Sequence, residues 1–291
     1  MACAALVVAL ASGTALAKKP AKKHKAPKVT IHTPVTPGAG YLALGDSYVF
    51  GYEEQQVVPA PDYADASSFI GYPELLGSEL HLTVANASCP GETSSSFIDP
   101  TAPSNGCENA PNGGASYRPT SPLHVNYSGS QLSYAVSYLK THKKVRLVSL
   151  MIGGNDLLLC QETTADHCAS LLEQASVIGT VSKNIKTILS TIRNKAHYGG
   201  QIVFVNYFSP NPALNSTTAL GNSTIASVVK PFHVVIADAF DTFAAADAHS
   251  GGNPCTAGLL NQLSTGGCGI HPSYAGRALM AQAVEKAIRI G

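Results

Sequence analysis

The strongest constraint on this chain is an alternation of short apolar runs with stretches whose apolar residues recur at helical spacing. Tyr41-Leu42-Ala43-Leu44 reads as a buried strand ending at Gly45, Phe69 to Leu80 as a helix, and Leu82-Thr83-Val84 as a second strand. Leu132, Ala135, Val136 and Leu139 share one helical face ahead of the apolar run Val145 to Met151, which enters Gly153-Gly154. A long helix is predicted over Leu171 to Ile192, a strand over Ile202 to Val205, a helix from Thr218 to Val229 stopped by Pro231, and a strand over Val234 to Ala237. Tyr274 to Ile290 closes the chain as an amphipathic helix, and two loop-rich regions, Ser88 to Gly129 and Ser250 to Pro272, interrupt the pattern. Strands separated by helices pair in parallel through right-handed crossovers. The predicted fold is therefore α/β, a three-layer α/β/α sandwich around a flavodoxin-like parallel five-stranded sheet.

A length of 291 residues, 45% hydrophobic and 13% charged, supplies ample core and excludes a disordered chain. Six lysines, Lys18, Lys19, Lys22, Lys23, Lys25 and Lys28, carry the basic excess, and the remainder is mildly acidic. That balance argues against nucleic acid as a partner. Ala4 to Ala11 is apolar and Ala15-Leu16-Ala17 matches a small-x-small cleavage pattern, so residues 1–17 read as an export signal. Its basic leading segment is missing, which points to a true start upstream or a misplaced initiating Met. Residues 18–38 read as a basic Pro/Lys-rich linker, able to touch a membrane or cell-wall surface, and residues 39–291 as the folded domain, with order beginning near Gly40. The expected location is extracellular and the expected state a monomer.

Apart from Cys3 in the signal, six cysteines remain: Cys89, Cys107, Cys160, Cys168, Cys255 and Cys268. Six cysteines allow about fifteen pairings. Sequential pairing, Cys89–Cys107, Cys160–Cys168 and Cys255–Cys268, is the simplest, since each closes a short loop. Export favours disulfides over reduced thiols, and no two cysteines show metal-ligand spacing. No metal and no cofactor are expected.

In open α/β sheets ligands bind beyond the carboxyl ends of the strands. Ser47, in Gly45-Asp46-Ser47, follows the first strand, where helix N–H groups favour negative charge; its bland alternative is a helix cap. Gly91 follows the second strand and lets a backbone N–H approach a ligand, or else serves a plain turn. Asn155, in Gly153-Gly154-Asn155-Asp156, follows the third and can donate to a developing oxyanion. His271-Pro272 precedes the last helix, and a histidine is the usual general base. Tyr52, Tyr207 and Phe208 lie near strand ends, as pocket lining or as packing.

These residues carry a resemblance. Tyr41 to Ser47, Gly91 in Ala-Ser-Cys-Pro-Gly, Gly153 to Asp156, and His271-Pro272 with Tyr274-Ala275-Gly276 resemble, in order, four sequence blocks of the SGNH (GDSL-type) serine esterase and lipase family. The three cysteine pairs resemble its secreted actinobacterial branch. The resemblance implies Ser47 as nucleophile, His271 as general base, and an oxyanion hole of Ser47 N–H, Gly91 N–H and the Asn155 side chain. It implies hydrolysis of small-molecule or lipid carboxylic esters without a metal.

The chain departs from the family at Cys268, three residues before His271, where an aspartate is usual. The Cys268 main-chain carbonyl is the expected orienting group for His271, with Asp238, Asp241 or Asp247 as substitutes from a neighbouring loop. A lipid-acting phospholipase or acyltransferase is the alternative activity. A non-catalytic surface-binding domain is the alternative class, supported by the missing aspartate. No Gly-x-Ser-x-Gly elbow, P-loop or dinucleotide fingerprint appears.

Overall fold

The computed structural model describes residues 33–291, so the expected export signal, Cys3 and most of the basic linker lie outside the described residues. Five parallel strands form the main sheet: β1 (Gly40–Gly45), β2 (Thr83–Asn86), β3 (Val145–Met151), β4 (Gln201–Val205) and β5 (Val234–Ala237), in the order β2-β1-β3-β4-β5. The helices are α1 (Ser47–Phe50), α2 (Tyr72–Glu79), α3 (Tyr117–Thr120), α4 (Gln131–Thr141), α5 (Gly154–Thr163), α6 (Leu171–Asn194), α7 (Asn215–Val229), α8 (Ala239–Asp247) and α9 (Tyr274–Ala287). A two-stranded antiparallel hairpin, β6 (Leu260–Gln262) and β7 (Cys268–Pro272), precedes α9.

Strand residues alternate between two cores, which is why β1 and β3 are apolar almost throughout. Leu42, Leu44, Val148, Leu150 and Phe204 pack with Ile185, Ile188, Leu189 and Ile192 of α6 and with Leu132, Ala135 and Leu139 of α4. Tyr41, Ala43, Leu147, Met151 and Val203 face the other side, against Leu76 of α2 and Met280 and Val284 of α9. The result is the expected three-layer α/β sandwich. A third, smaller core of Phe50, Phe69 and Leu123 gathers about the Cys89–Cys107 disulfide beneath the first long loop. All three sequential disulfides are formed, with Cα–Cα distances of 5.7, 5.5 and 5.7 Å.

Several elements differ from expectation. Packing begins before Gly40: Val35 is buried, donates its N–H to Arg289 O at 2.8 Å and accepts from Gly291 N–H at 3.0 Å. The second loop region holds the β6–β7 hairpin. Helices α5 and α8 are not predicted from the sequence pattern: α5 begins at Gly154, three residues after β3 ends, and α8 at Ala239, two residues after β5 ends. At α8 the Asp238 carboxylate accepts Asp241 N–H at 3.1 Å, so the aspartate is an N-cap.

Leu42→Ala should empty volume at the sheet centre and cost about 2–5 kcal/mol. Urea denaturation followed by circular dichroism checks that value; a loss below about 1 kcal/mol would mean this face is not the packed core.

Candidate active site

Strand β1 ends at Gly45, whose φ of +144° turns the chain sharply. A Cβ there would stand 2.1 Å from Met151 O, so only glycine fits beside β3. Asp46 is the N-cap of α1, its carboxylate accepting Tyr48 N–H at 3.0 Å. Capping therefore falls to Asp46, and Ser47 is left as the first helical residue, buried to 7% exposure, with its N–H among the unpaired donors of the helix start.

His271 arrives on β7. Its Nε2 lies 2.9 Å from Ser47 Oγ, and its Nδ1 lies 2.8 Å from Glu54 Oε1. Here the structure corrects the sequence reading: a carboxylate, not the Cys268 carbonyl, orients the imidazole. Glu54 stands seven residues beyond Ser47, on the loop leaving α1. Its Oε1 also accepts the N–H groups of Ile270 at 2.8 Å and His271 at 3.0 Å, while Oε2 accepts from Asn261 Nδ2 at 2.9 Å. Gly269 makes room, since a Cβ there would stand 1.9 Å from Glu54 Oε1. The substitutes also fail to reach the ring: Asp238 binds Asn206 Nδ2 at 2.8 Å and caps α8, on which Asp241 and Asp247 lie.

Burial alone would raise the Glu54 carboxyl. The His271 hydrogen bond and charge, with the donors from Asn261 and the His271 backbone, outweigh it and hold the group at about 2, below the ordinary 4.5. Glu54 is therefore ionised and acceptor-only. Nδ1 must carry a proton to meet it, and in the neutral ring Nε2 is then free to accept the Ser47 hydroxyl proton.

The loop that delivers Glu54 is itself pinned. Arg277 of α9, 5% exposed, donates to Gly51 O at 3.1 Å, Ile70 O at 2.9 Å and Glu53 Oε1 at 2.6 Å. Two aromatic rings flank the imidazole: Tyr48 edge-on at 5.4 Å, its hydroxyl donating to Ile270 O at 2.9 Å, and Tyr52 at 5.0 Å. Phe208 lies stacked beneath Tyr48 at 5.2 Å, as packing.

Gly91 has φ +81°, and a Cβ there would meet Asn105 O at 2.4 Å. Gly91 O accepts Asn105 N–H at 2.8 Å, and Asn105 Nδ2 donates to Asn155 Oδ1 at 3.2 Å. With its oxygen occupied, the Asn155 amide presents its nitrogen as the donor. Gly91 and Asn155 are thus held by one residue, Asn105, which the sequence reading missed along with Glu54. Among the described residues, two clusters have metal-ligand proximity, Cys89/Glu92/Cys107 and Cys160/Cys168/Glu173, but in each the sulfurs are joined in a disulfide.

The sequence profile of the GDSL-like lipase/acylhydrolase family matches residues 43–279. Phospholipase A1 from Streptomyces albidoflavus shares the fold at 20% identity and a TM-score of 0.53, over 86% of this chain and 99% of that one. A protein described as a GDSL-like lipase from Parabacteroides merdae shares it at 15% identity and a TM-score of 0.53, over 90% and 98%. No curated protein matches the sequence.

The folded-state pKa of Glu54 lies below its ordinary value, so its ionic contribution to stability is complete above pH 4.5 and is lost as pH falls toward 2. Glu54→Gln should therefore lower the urea midpoint at pH 7 and leave a smaller gap from wild type at pH 3. A gap that is equal at both pH values would show that the carboxylate charge does not act on His271.

Proposed function

The chain belongs to the GDSL-like lipase/acylhydrolase family and is a carboxylic ester hydrolase, and from that premise we propose that it is exported and works as a serine esterase through an acyl-enzyme on Ser47. The observation that carries this reading is the unbroken line from Ser47 Oγ through His271 to Glu54, with both links under 3 Å.

In the proposed reaction His271 Nε2 takes the hydroxyl proton as Ser47 Oγ attacks the ester carbonyl carbon. The Glu54 carboxylate stabilises the imidazolium and holds the ring in the competent tautomer. The carbonyl electron pair moves onto oxygen, and the oxyanion accepts from Ser47 N–H, Gly91 N–H and Asn155 Nδ2. Collapse expels the alkoxide, which takes the proton from His271 and leaves as the alcohol. Water, deprotonated by His271, attacks the acyl-Ser47 carbonyl. A second collapse releases the carboxylic acid and returns the proton to Ser47. Every electron pair and proton is accounted for by the ester, one water and these side chains.

Export is supported by the three disulfides, which persist in oxidising compartments. Among the described residues no helix is long and apolar enough to cross a membrane. The non-catalytic reading loses its support, because Glu54 supplies the carboxylate whose absence at Cys268 suggested it.

Hydrolysis of p-nitrophenyl esters from acetate to palmitate tests the proposal. Wild type should turn over, label with a fluorophosphonate, and lose roughly 10⁵- to 10⁶-fold in kcat as Ser47→Ala. The chain-length optimum divides a short-acyl esterase from a lipase. Wild-type activity that survives Ser47→Ala would overturn the nucleophile assignment.

A further inference from the structure

The three oxyanion donors sit on three separate strand-end turns, after β1, β2 and β3. A functional constellation must be held to within about 0.5 Å, and sheet register alone does not hold loops that tightly. Three links, one buried and two partly buried, join the turns in pairs.

The first is Tyr207, on the loop after β4. Its hydroxyl accepts Gly154 N–H at 3.0 Å and donates to Asp46 Oδ2, so it ties the neighbour of Asn155 to the neighbour of Ser47. Its ring lies against Gly154, where a Cβ would stand 2.8 Å from Tyr207 Cε1. Asn222 fixes the Tyr207 backbone from α7, accepting its N–H at 3.0 Å and donating to its carbonyl at 2.7 Å.

The second link is Asp156, next to Asn155. It accepts Ser94 N–H at 2.7 Å and Ser94 O–H at 2.6 Å, on the turn that carries Gly91. The third is Gln131, at the start of α4. Its Oε1 accepts Gly45 N–H at 2.6 Å, and its Nε2 donates to Gly45 O at 3.0 Å and to Glu92 Oε2 at 2.9 Å. Glu92 follows Gly91, so this link returns from the second turn to the first.

We propose that Tyr207, Asp156 and Gln131 are positioning residues that set the oxyanion hole, joined as one closed triangle of hydrogen bonds. The inference rests on the serine-esterase reading above. None of the three side chains bonds to Ser47, His271 or Glu54 among the described residues, so each acts through the turns. Desolvation pushes Asp46 and Asp156 up to about 6 despite their hydrogen bonds, so near neutral pH they are ionised acceptors whose donors are expensive to remove.

A brace of this kind matters where charge develops, so its loss lowers kcat and spares KM. Tyr207→Phe removes the hydroxyl and keeps the ring on Gly154. With p-nitrophenyl acetate, kcat should fall about 10²-fold at unchanged KM. In an Asn155→Ala background the same change should cost less than about 3-fold, because the donor it positions is gone. An unchanged kcat, or an equal loss in both backgrounds, would overturn the proposal. If Tyr207→Phe does not fold, Asp156→Asn passes through the same cycle and is judged by the same outcomes. Ser47→Ala is measured alongside: activity surviving there overturns the serine reading and the brace together, whereas its loss with an additive cycle overturns only the brace.

Discussion

The hydrogen bond from His271 Nδ1 to Glu54 joins the two halves of the site. Glu54 lies on the loop leaving α1, and His271 on a hairpin 217 residues later. One carboxylate oxygen receives the imidazole and the N–H groups of Ile270 and His271, so it fixes the ring and the strand that carries it. Removing the carboxylate from such a cluster leaves the partly buried donors of His271 and Asn261 unsatisfied, at a cost above the net worth of one hydrogen bond. The bare backbone of Gly269, the amide of Asn261 and the Arg277–Glu53 ion pair all serve that contact.

The sheet supplies the opposite side. β1, β2 and β3 end at one edge, and a glycine at or beyond each end admits a neighbour at close range: Gly45 against Met151 O, Gly91 against Asn105 O, and Gly154 against the Tyr207 ring. Burial then makes every polar group there need a partner, and the partners chosen cross from turn to turn. On the proposed reading these links preset the oxyanion donors, so that little reorganisation is needed when charge appears.

Much of this was legible in the sequence. The strands are readable from short apolar runs, and Ser47, Gly91, Asn155 and His271 stand out as candidates because each follows an expected strand or precedes the expected last helix. In the structure Ser47 and Asn155 open helices α1 and α5, and His271 lies on β7. The third member of the relay was not readable locally. A search three residues upstream of His271 finds Cys268, while the carboxylate that reaches the ring comes from the far end of the chain. The Glu53-Glu54 pair in a loop after Ser47 was its one sequence signal, and nothing in one dimension shows which of two adjacent glutamates faces His271 and which faces Arg277. Helix α8 was missed because Asp238 caps a helix that begins as the strand ends, and Asn105 because it lies within a long loop whose fold depends on the Cys89–Cys107 disulfide.

The central claim is that one carboxylate, one imidazole and one hydroxyl act in line before a preset oxyanion hole. A crystal structure of the enzyme inactivated by a fluorophosphonate tests it most directly. The account predicts phosphorus bonded to Ser47 Oγ, its oxygen within hydrogen-bond distance of Ser47 N, Gly91 N and Asn155 Nδ2, and Glu54 still bonded to His271 Nδ1. A phosphonyl group on another residue, or Nδ1 bonded to the Cys268 carbonyl in place of Glu54, would contradict it.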